Sequence, residues 1–234
     1  MSNSILLLED EINVGSTLKD RLILEGFDVS WAMNLKEAKD CLEKKRFSLA
    51  LLDVNLPDGN GFDIGKIIRS RFAATAMVFL TAAGTPEDRI HGLELGAEDY
   101  VVKPFHFKEL LLRIQNVLKR IQFVNSSEVN AASEISIGKA KVRFHQYELT
   151  SENEKIHLSH KECALLKLLY EKRGQVVSRD EILNLIWSEH EYPTPRTIDN
   201  FILRLRKWVE PDLEAPAIIR SVRGVGYLLE RSSS

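Results

Sequence analysis

Apolar residues follow two different rhythms in this chain, and the change falls near its middle. Over the first ~120 residues, short runs with strand character alternate with amphipathic stretches of helical period. The runs are 4–8, 28–31, 48–53, 76–80 and 99–102. The helical stretches lie near 13–25, 35–45, 61–71, 86–95 and 106–121. Five strands alternating with five helices predict right-handed βαβ units and a parallel sheet covered on both faces. The near-continuous apolar segments 5–8 and 49–52 suit strands buried on both sides.

Residues 123–134, FVNSSEVNAASE, have little apolar content and no period, and are expected to be a flexible linker. Beyond them, 135–158 shows short alternating runs separated by turns, which predicts a small antiparallel sheet. Helical patterns follow at about 159–172, 179–187 and 195–209, and IIRSVRGVGYLLE predicts a hairpin turning at Arg223 and Gly224. Three helices with flanking sheets and a terminal hairpin have the layout of a winged helix. The organisation expected is therefore 1–122, a linker at 123–134, and a second domain at 135–234.

Composition narrows little. The 234 residues carry a formal net charge of −2, which names no partner. The N-terminal MSNSILLL has no basic start and its apolar run stops at Glu9, so no signal peptide is expected. No run approaches the ~20 apolar residues of a membrane span. Cys41 and Cys163 lie far apart in helical patterns, outside any metal or redox spacing, and are read as core residues. A cytoplasmic protein without disulfides is the expectation. Charge by segment says more: residues 1–122 hold 16 basic and 18 acidic side chains, and residues 135–234 hold 16 and 14. Arg196, Arg204, Arg206, Lys207, Arg220 and Arg223 gather on the last helix and hairpin.

The carboxyl ends of the predicted strands share a chemistry. Strand one runs into Glu9-Asp10-Glu11, strand three ends in Asp53, strand four meets Thr81, and strand five meets Lys103. Ligands of open α/β sheets bind at such ends. Clustered carboxylates repel unless a cation joins them, and hard oxygen donors suit Mg²⁺. A hydroxyl and an ammonium can grip phosphoryl oxygens, with Asp53 as the nucleophile that forms an acyl phosphate. Taken singly, each group also has an ordinary role as helix cap, strand end or surface charge; four strand ends together favour the site.

With LLLEDE at 6–11, LLDVNLPDGNG at 51–61, FLTA at 79–82 and DYVVKPF at 99–105, the first ~120 residues resemble a bacterial response-regulator receiver domain. The second half, through 158–187, RTIDNFILRLRK at 196–207 and RSVRGVGY at 220–227, resembles the winged-helix effector domain of the OmpR/PhoB-like subfamily. The resemblance implies a flavodoxin-like, doubly wound receiver with a five-stranded parallel sheet, joined to an α+β winged helix. It implies that Asp53 accepts phosphate from a sensor histidine kinase, with Mg²⁺ held by Glu9, Asp10, Asp53 and the backbone carbonyl of Asn55. It further implies Thr81 and Lys103 as phosphoryl sensors, Tyr100 as an aromatic switch and a cis Lys103–Pro104 bond.

Subfamily members dimerise through the face of the fourth helix, fifth strand and fifth helix. By position, the cross-chain pairs implied are Arg89 with Glu109, Asp99 with Arg113, and Glu98 with Arg120. Gln115 replaces a lysine common in relatives. RNA polymerase is implied as a partner of the loop 188–194.

On the last helix, Ile198, Ile202, Leu205 and Val209 form a core-facing stripe. Arg196, Thr197, Asn200, Leu203, Arg204 and Lys207 lie opposite, a face suited to a major groove. Arg223 is expected in a minor groove, and Arg179, Trp187, Arg196 and Thr197 at phosphates. Asn200 and Arg204 are the expected base readers, with Leu203 against a thymine methyl and Arg206 turned inward to Asp199 or a neighbour. An aspartyl-phosphate hydrolase is the rival reading, but its DxD motif is replaced here by Asp53-Val54-Asn55. A regulator that works without phosphate is the other alternative, and the intact acidic set argues against it.

Overall fold

The computed structural model describes residues 4–82, 95–125, 134–187 and 195–231. The chain forms two compact units that divide between Leu118 and Lys119.

In the first unit, β1 (Ser4–Leu8), β2 (Asp28–Ala32), β3 (Leu49–Asp53), β4 (Ala76–Thr81) and β5 (Asp99–Val102) form one sheet in the order β2-β1-β3-β4-β5. Every pairing is parallel. This is the flavodoxin-like doubly wound order, with its switch point between β1 and β3. Strands β3 and β4 are buried at every position, as their apolar runs require. Of the helices, α1 (Ile12–Leu24) and α2 (Leu35–Lys44) pack against β1 and β2, and α3 (Gly61–Arg71) against β3. Asparagine starts two of these: the Asn34 side chain accepts from the Glu37 N–H and that of Asn60 from the Phe62 N–H. Gly15 lets the Trp31 ring lie against α1; an added Cβ would stand 2.4 Å from the indole. The helix expected at 86–95 lies, apart from Leu95, outside the described residues.

Helix α4 (Phe107–Asn125) outruns expectation. Residues 123–125 are helical rather than linker, and the buried side chain of Val124 belongs to the core of the second unit.

In the second unit, β6 (Ile135–Ile137), β7 (Ala140–Arg143), β8 (Glu148–Ser151) and β9 (Glu154–His157) make an antiparallel sheet in sequential order. Helices α5 (His160–Glu171), α6 (Arg179–Ile186) and α7 (Pro195–Val209) follow. A second sheet joins β10 (Val176–Ser178), β12 (Gly226–Leu229) and β11 (Ile219–Val222), in the order β10-β12-β11. The β11–β12 turn occupies 223–225, as the sequence predicts, with Gly224 at φ +74°. Helix α5 is buried from His160 to Leu169 and is the centre of this unit. The α7 stripe Ile198, Ile202, Leu205 and Val209 is buried against it as expected; each such side chain is worth roughly 1.5–3 kcal/mol of burial. The Glu210 carboxylate, 1 % exposed, accepts from the N–H groups of Ala217, Ile218 and Ile219, tying the end of α7 to the start of β11. Cys163 is buried and Cys41 half-buried, and both are free thiols. Among the described residues, no helix is long and apolar enough to cross a membrane.

Candidate functional site

The strand ends of the first unit converge as their order requires. Asp53 closes β3 with its side chain 6 % exposed. Lys103, just past β5, brings its Nζ within 2.5 Å of Asp53 Oδ2 and within 2.7 and 3.0 Å of the two Glu9 oxygens. Carboxylate oxygens of Glu9, Asp10 and Asp53 all lie within 4.8 Å of one another. The main chain beyond β3 folds back on the site: the Asn55 N–H donates to Asp53 Oδ1 at 3.0 Å. Gly61 is required here, because a Cβ would stand 1.9 Å from the Asp53 carbonyl oxygen. Thr81 is fully buried at the end of β4, and its carbonyl receives the Lys103 N–H at 2.7 Å. The Lys103–Pro104 bond is cis, as the resemblance implies.

Electrostatics follow from this packing. Burial pushes the Glu9 carboxyl above its ordinary range, against the pull of the Lys103 ammonium. Burial opposes the charge on Lys103, but hydrogen bonds to Asp53 and Glu9 outweigh it and hold that ammonium above its ordinary value. One ammonium faces three carboxylates. That surplus of hard oxygen donors fits a divalent cation of the Mg²⁺ type. Tyr100 lies inward, 8 % exposed, stacked on Phe79 at 5.3 Å.

On the second unit, α7 turns Arg196, Asn200, Leu203 and Lys207 outward, all exposed, with Thr197 and Arg204 half-buried. Leu203 is 54 % exposed. Arg223 is exposed at the hairpin tip. Two expectations change. Trp187, expected at a phosphate, is 7 % exposed and packs edge-on against Phe201 at 5.2 Å, so its ring serves the core. Arg179 is engaged within the chain: it donates to Asp199 Oδ1 and Tyr227 Oη, each at 3.2 Å, and stacks over the Tyr227 ring. Arg206 turns inward as expected, and of the partners open to it takes the neighbouring Ile219 carbonyl at 2.7 Å and Ser221 Oγ at 3.0 Å. Asp199 instead accepts from Tyr227, which with Arg179 holds its carboxyl below the ordinary range. Burial, then that hydrogen bond, pushes Tyr227 up to about 12.

Residues 5–115 match the response regulator receiver domain family, and residues 153–229 match the family described as transcriptional regulatory protein, C terminal. CusR, a transcriptional regulatory protein of Escherichia coli K12, is 36 % identical over 226 residues, covering 97 % of both chains. A probable transcriptional regulator, ycf27, of Pyropia yezoensis is 38 % identical over 230 residues, 97 % of this chain and 94 % of its own. The crystal structure of DrrB, a Thermotoga maritima OmpR/PhoB homologue, aligns over 99 % of this chain and 100 % of its own with TM-score 0.54 and 28 % identity. The chain is an OmpR/PhoB-type response regulator. It is a two-component regulator that binds DNA to regulate transcription, and a transcription factor rather than a conventional enzyme. A histidine kinase is the partner its receiver implies.

In this response regulator the charged residues expected at a dimer face are already occupied within one chain. Arg113 Nη1 meets Asp99 at 2.7 Å and Nη2 meets Glu109 at 2.8 Å. The Asp99–Arg113 pair is thus intramolecular here. Glu98 and Arg120, implied as a cross-chain pair, are both buried, and Arg120 donates to the Ile186 carbonyl. Position along the chain implies which charges could meet, but burial within the fold withdraws both groups from the surface. Arg89 lies outside the described residues. Two functional-looking groups went unnoticed in the sequence. Glu162 completes a capping box with Ser159, a spacing that Ser-x-x-Glu announces. Lys167 interrupts the apolar run CALLKLL and is fully buried.

Proposed function

We propose that Asp53 is the phosphoacceptor of a phosphohistidine-to-aspartate relay, and that its phosphorylation promotes dimerisation and promoter binding. The observation that carries this is the convergence of Asp53, Lys103, Glu9 and Asp10 at one sheet edge. An Asp53 carboxylate oxygen forms the new P–O bond while the donor's P–N bond breaks. Its electron pair stays on the donor imidazole, which takes up a proton. Lys103, already against Oδ2, and Thr81 at the next strand end hold the phosphoryl oxygens. Glu9, Asp10, Asp53 and the Asn55 carbonyl would hold Mg²⁺, which neutralises phosphoryl charge when bound. A groove beside Lys103, lined by Val14, Leu18, Pro104, Phe105 and Phe107, supports docking of a sensor histidine kinase.

Residues 1–122 receive the signal and 135–234 read DNA, with the α4 tail to Asn125 shortening the linker between them. The Asp99–Glu109–Arg113 cluster, with exposed Val102 on β5 and Leu112 on α4, supports a homodimer that re-pairs these charges across chains. Tyr100, stacked on Phe79, is the switch residue of that face. The protein works in the cytoplasm, where the kinase's phosphohistidine and promoter DNA are. RNA polymerase as a further partner rests on the resemblance alone, since the loop 188–194 lies outside the described residues.

Acetyl phosphate with Mg²⁺ is expected to label the wild type and not Asp53→Asn, and beryllofluoride to shift wild-type sedimentation toward dimer. Equal labelling of Asp53→Asn removes the proposal. On DNA, Arg196 and Thr197 hold phosphates, Asn200, Leu203 and Arg204 meet bases, Lys207 adds charge, and Arg223 enters the minor groove. Exposed Leu203 offers no hydrogen bond, so it selects a thymine methyl. Binding-site selection with Leu203→Arg is expected to replace one T·A preference; an unchanged consensus would sink that assignment.

A further inference from the structure

Glu162 sits at the third position of α5 and is 3 % exposed. One of its oxygens, Oε2, accepts from Ser159 N–H at 2.8 Å and Ser159 Oγ at 2.9 Å, closing the capping box. The other, Oε1, forms an ion pair with Arg204 Nη1 at 3.3 Å. The Arg204 guanidinium also lies over the Phe201 ring at 4.3 Å, and Phe201 is itself wedged against Trp187. A carboxylate from a neighbouring helix and an aromatic ring thus grip one end and one face of the group, while its side chain remains 40 % exposed.

We propose that Glu162 is a positioning residue for base reading: it presents Arg204 as a fixed fork toward a guanine O6 and N7 in the major groove. A guanidinium carries five N–H donors in one plane, so engaging Nη1 leaves a free edge. A long side chain otherwise samples many rotamers and loses that freedom on binding. Pre-ordering it sharpens discrimination without a contact between Glu162 and DNA. This rests on the reading of α7 as the DNA-reading helix.

The test is binding-site selection with the full chain, activated with beryllofluoride and Mg²⁺, together with salt dependence and thermal melting. Arg204→Ala is expected to relax one G·C position by on the order of tenfold. Glu162→Gln keeps the capping box, since Gln serves at that position, but withdraws the charge that holds Arg204. It is expected to melt near wild type, relax that same position several-fold, leave the salt slope unchanged, and add nothing in an Arg204→Ala background. Ser159→Ala breaks the cap from its other end and is expected to keep the G·C preference.

If Arg204→Ala relaxes the position and Glu162→Gln does not, the positioning role is wrong while the reading of α7 stands. If Arg204→Ala leaves the consensus intact, Arg204 reads no base and the proposal falls with that reading. A uniform loss over all sequences in Glu162→Gln, with the salt slope shallower by about one, makes Arg204 a phosphate contact and overturns it. Equal relaxation in Ser159→Ala and Glu162→Gln assigns the effect to a loosened α5, and also overturns it.

Discussion

A Lys103→Met chain is expected to lose about 3 kcal/mol of local stability around β1 and β3 in a chelating buffer, and to regain more than the wild type does when Mg²⁺ is added. The Lys103 ammonium is hydrogen-bonded to both Glu9 and Asp53, and the side chains involved are only 17 %, 0 % and 6 % exposed. Removing one member of a buried, hydrogen-bonded charge set costs roughly 3–5 kcal/mol, because the charges left behind stay desolvated and unpaired. Residual exposure of Lys103 puts the expected value at the lower end. Methionine keeps the aliphatic stem, so packing is nearly preserved. The variant then holds Glu9, Asp10 and Asp53 together with no cation among them. Two added positive charges relieve more repulsion there than in the wild type, where Lys103 already supplies one. Hydrogen exchange of the β1 and β3 amides, with and without Mg²⁺, reads this in the first unit alone. Unchanged exchange in chelator, or an equal gain from Mg²⁺ in both chains, contradicts the electrostatic account.

The strands were legible because β1, β3 and β4 are buried on both faces, and continuous burial leaves a continuous apolar run. Acidic and basic residues at their ends then stood out as the points where that run fails. What sequence did not give were the partners of long side chains. Asp99 is implied as the partner of Arg113, but across chains, and the packed fold closes that pair within one chain and adds Glu109; Arg179 has several carboxylates within a plausible reach, and only the fold selects Asp199. Trp187 departs from its expected place at a phosphate for a related reason. It lies at the edge of a helical stripe, where a few degrees of helix rotation decides between core and surface, and its edge-to-face contact with Phe201 settles it inward. The end of α4 was missed because its polar residues read as linker, whereas Val124 is buried by residues of the second unit, remote in sequence.

That same helix end carries the second large effect. Lys167→Met is expected to destabilise the second unit by about 1–3 kcal/mol at neutral pH, with a deficit that widens as the solution becomes alkaline. Lys167 is fully buried; its Nζ donates to the carbonyls of Phe123 and Val124, each at 2.6 Å, and it lies over the Phe123 ring. These are last-turn carbonyls of α4, groups that a helix leaves without intrahelical donors. Methionine takes the donor away and leaves them desolvated, at about 1–3 kcal/mol. The pH dependence follows from burial, which lowers the Lys167 pKa below its ordinary 10.5 against the pull of Glu171, 3.8 Å away. A lowered folded value means that the fold favours the neutral amine. The pH-linked part of its contribution, added to that of the hydrogen bonds, is therefore fully present above 10.5 and is lost as pH falls through the folded value. The neutral amine still carries N–H donors for both carbonyls, so above the folded value the hydrogen bonds persist without the cost of a buried charge. Urea unfolding of both chains across the alkaline range measures the difference directly. A variant as stable as wild type at neutral pH means that burying the charge cancels its hydrogen bonds, and a difference that stays flat toward pH 10.5 means that Lys167 does not titrate in the folded chain.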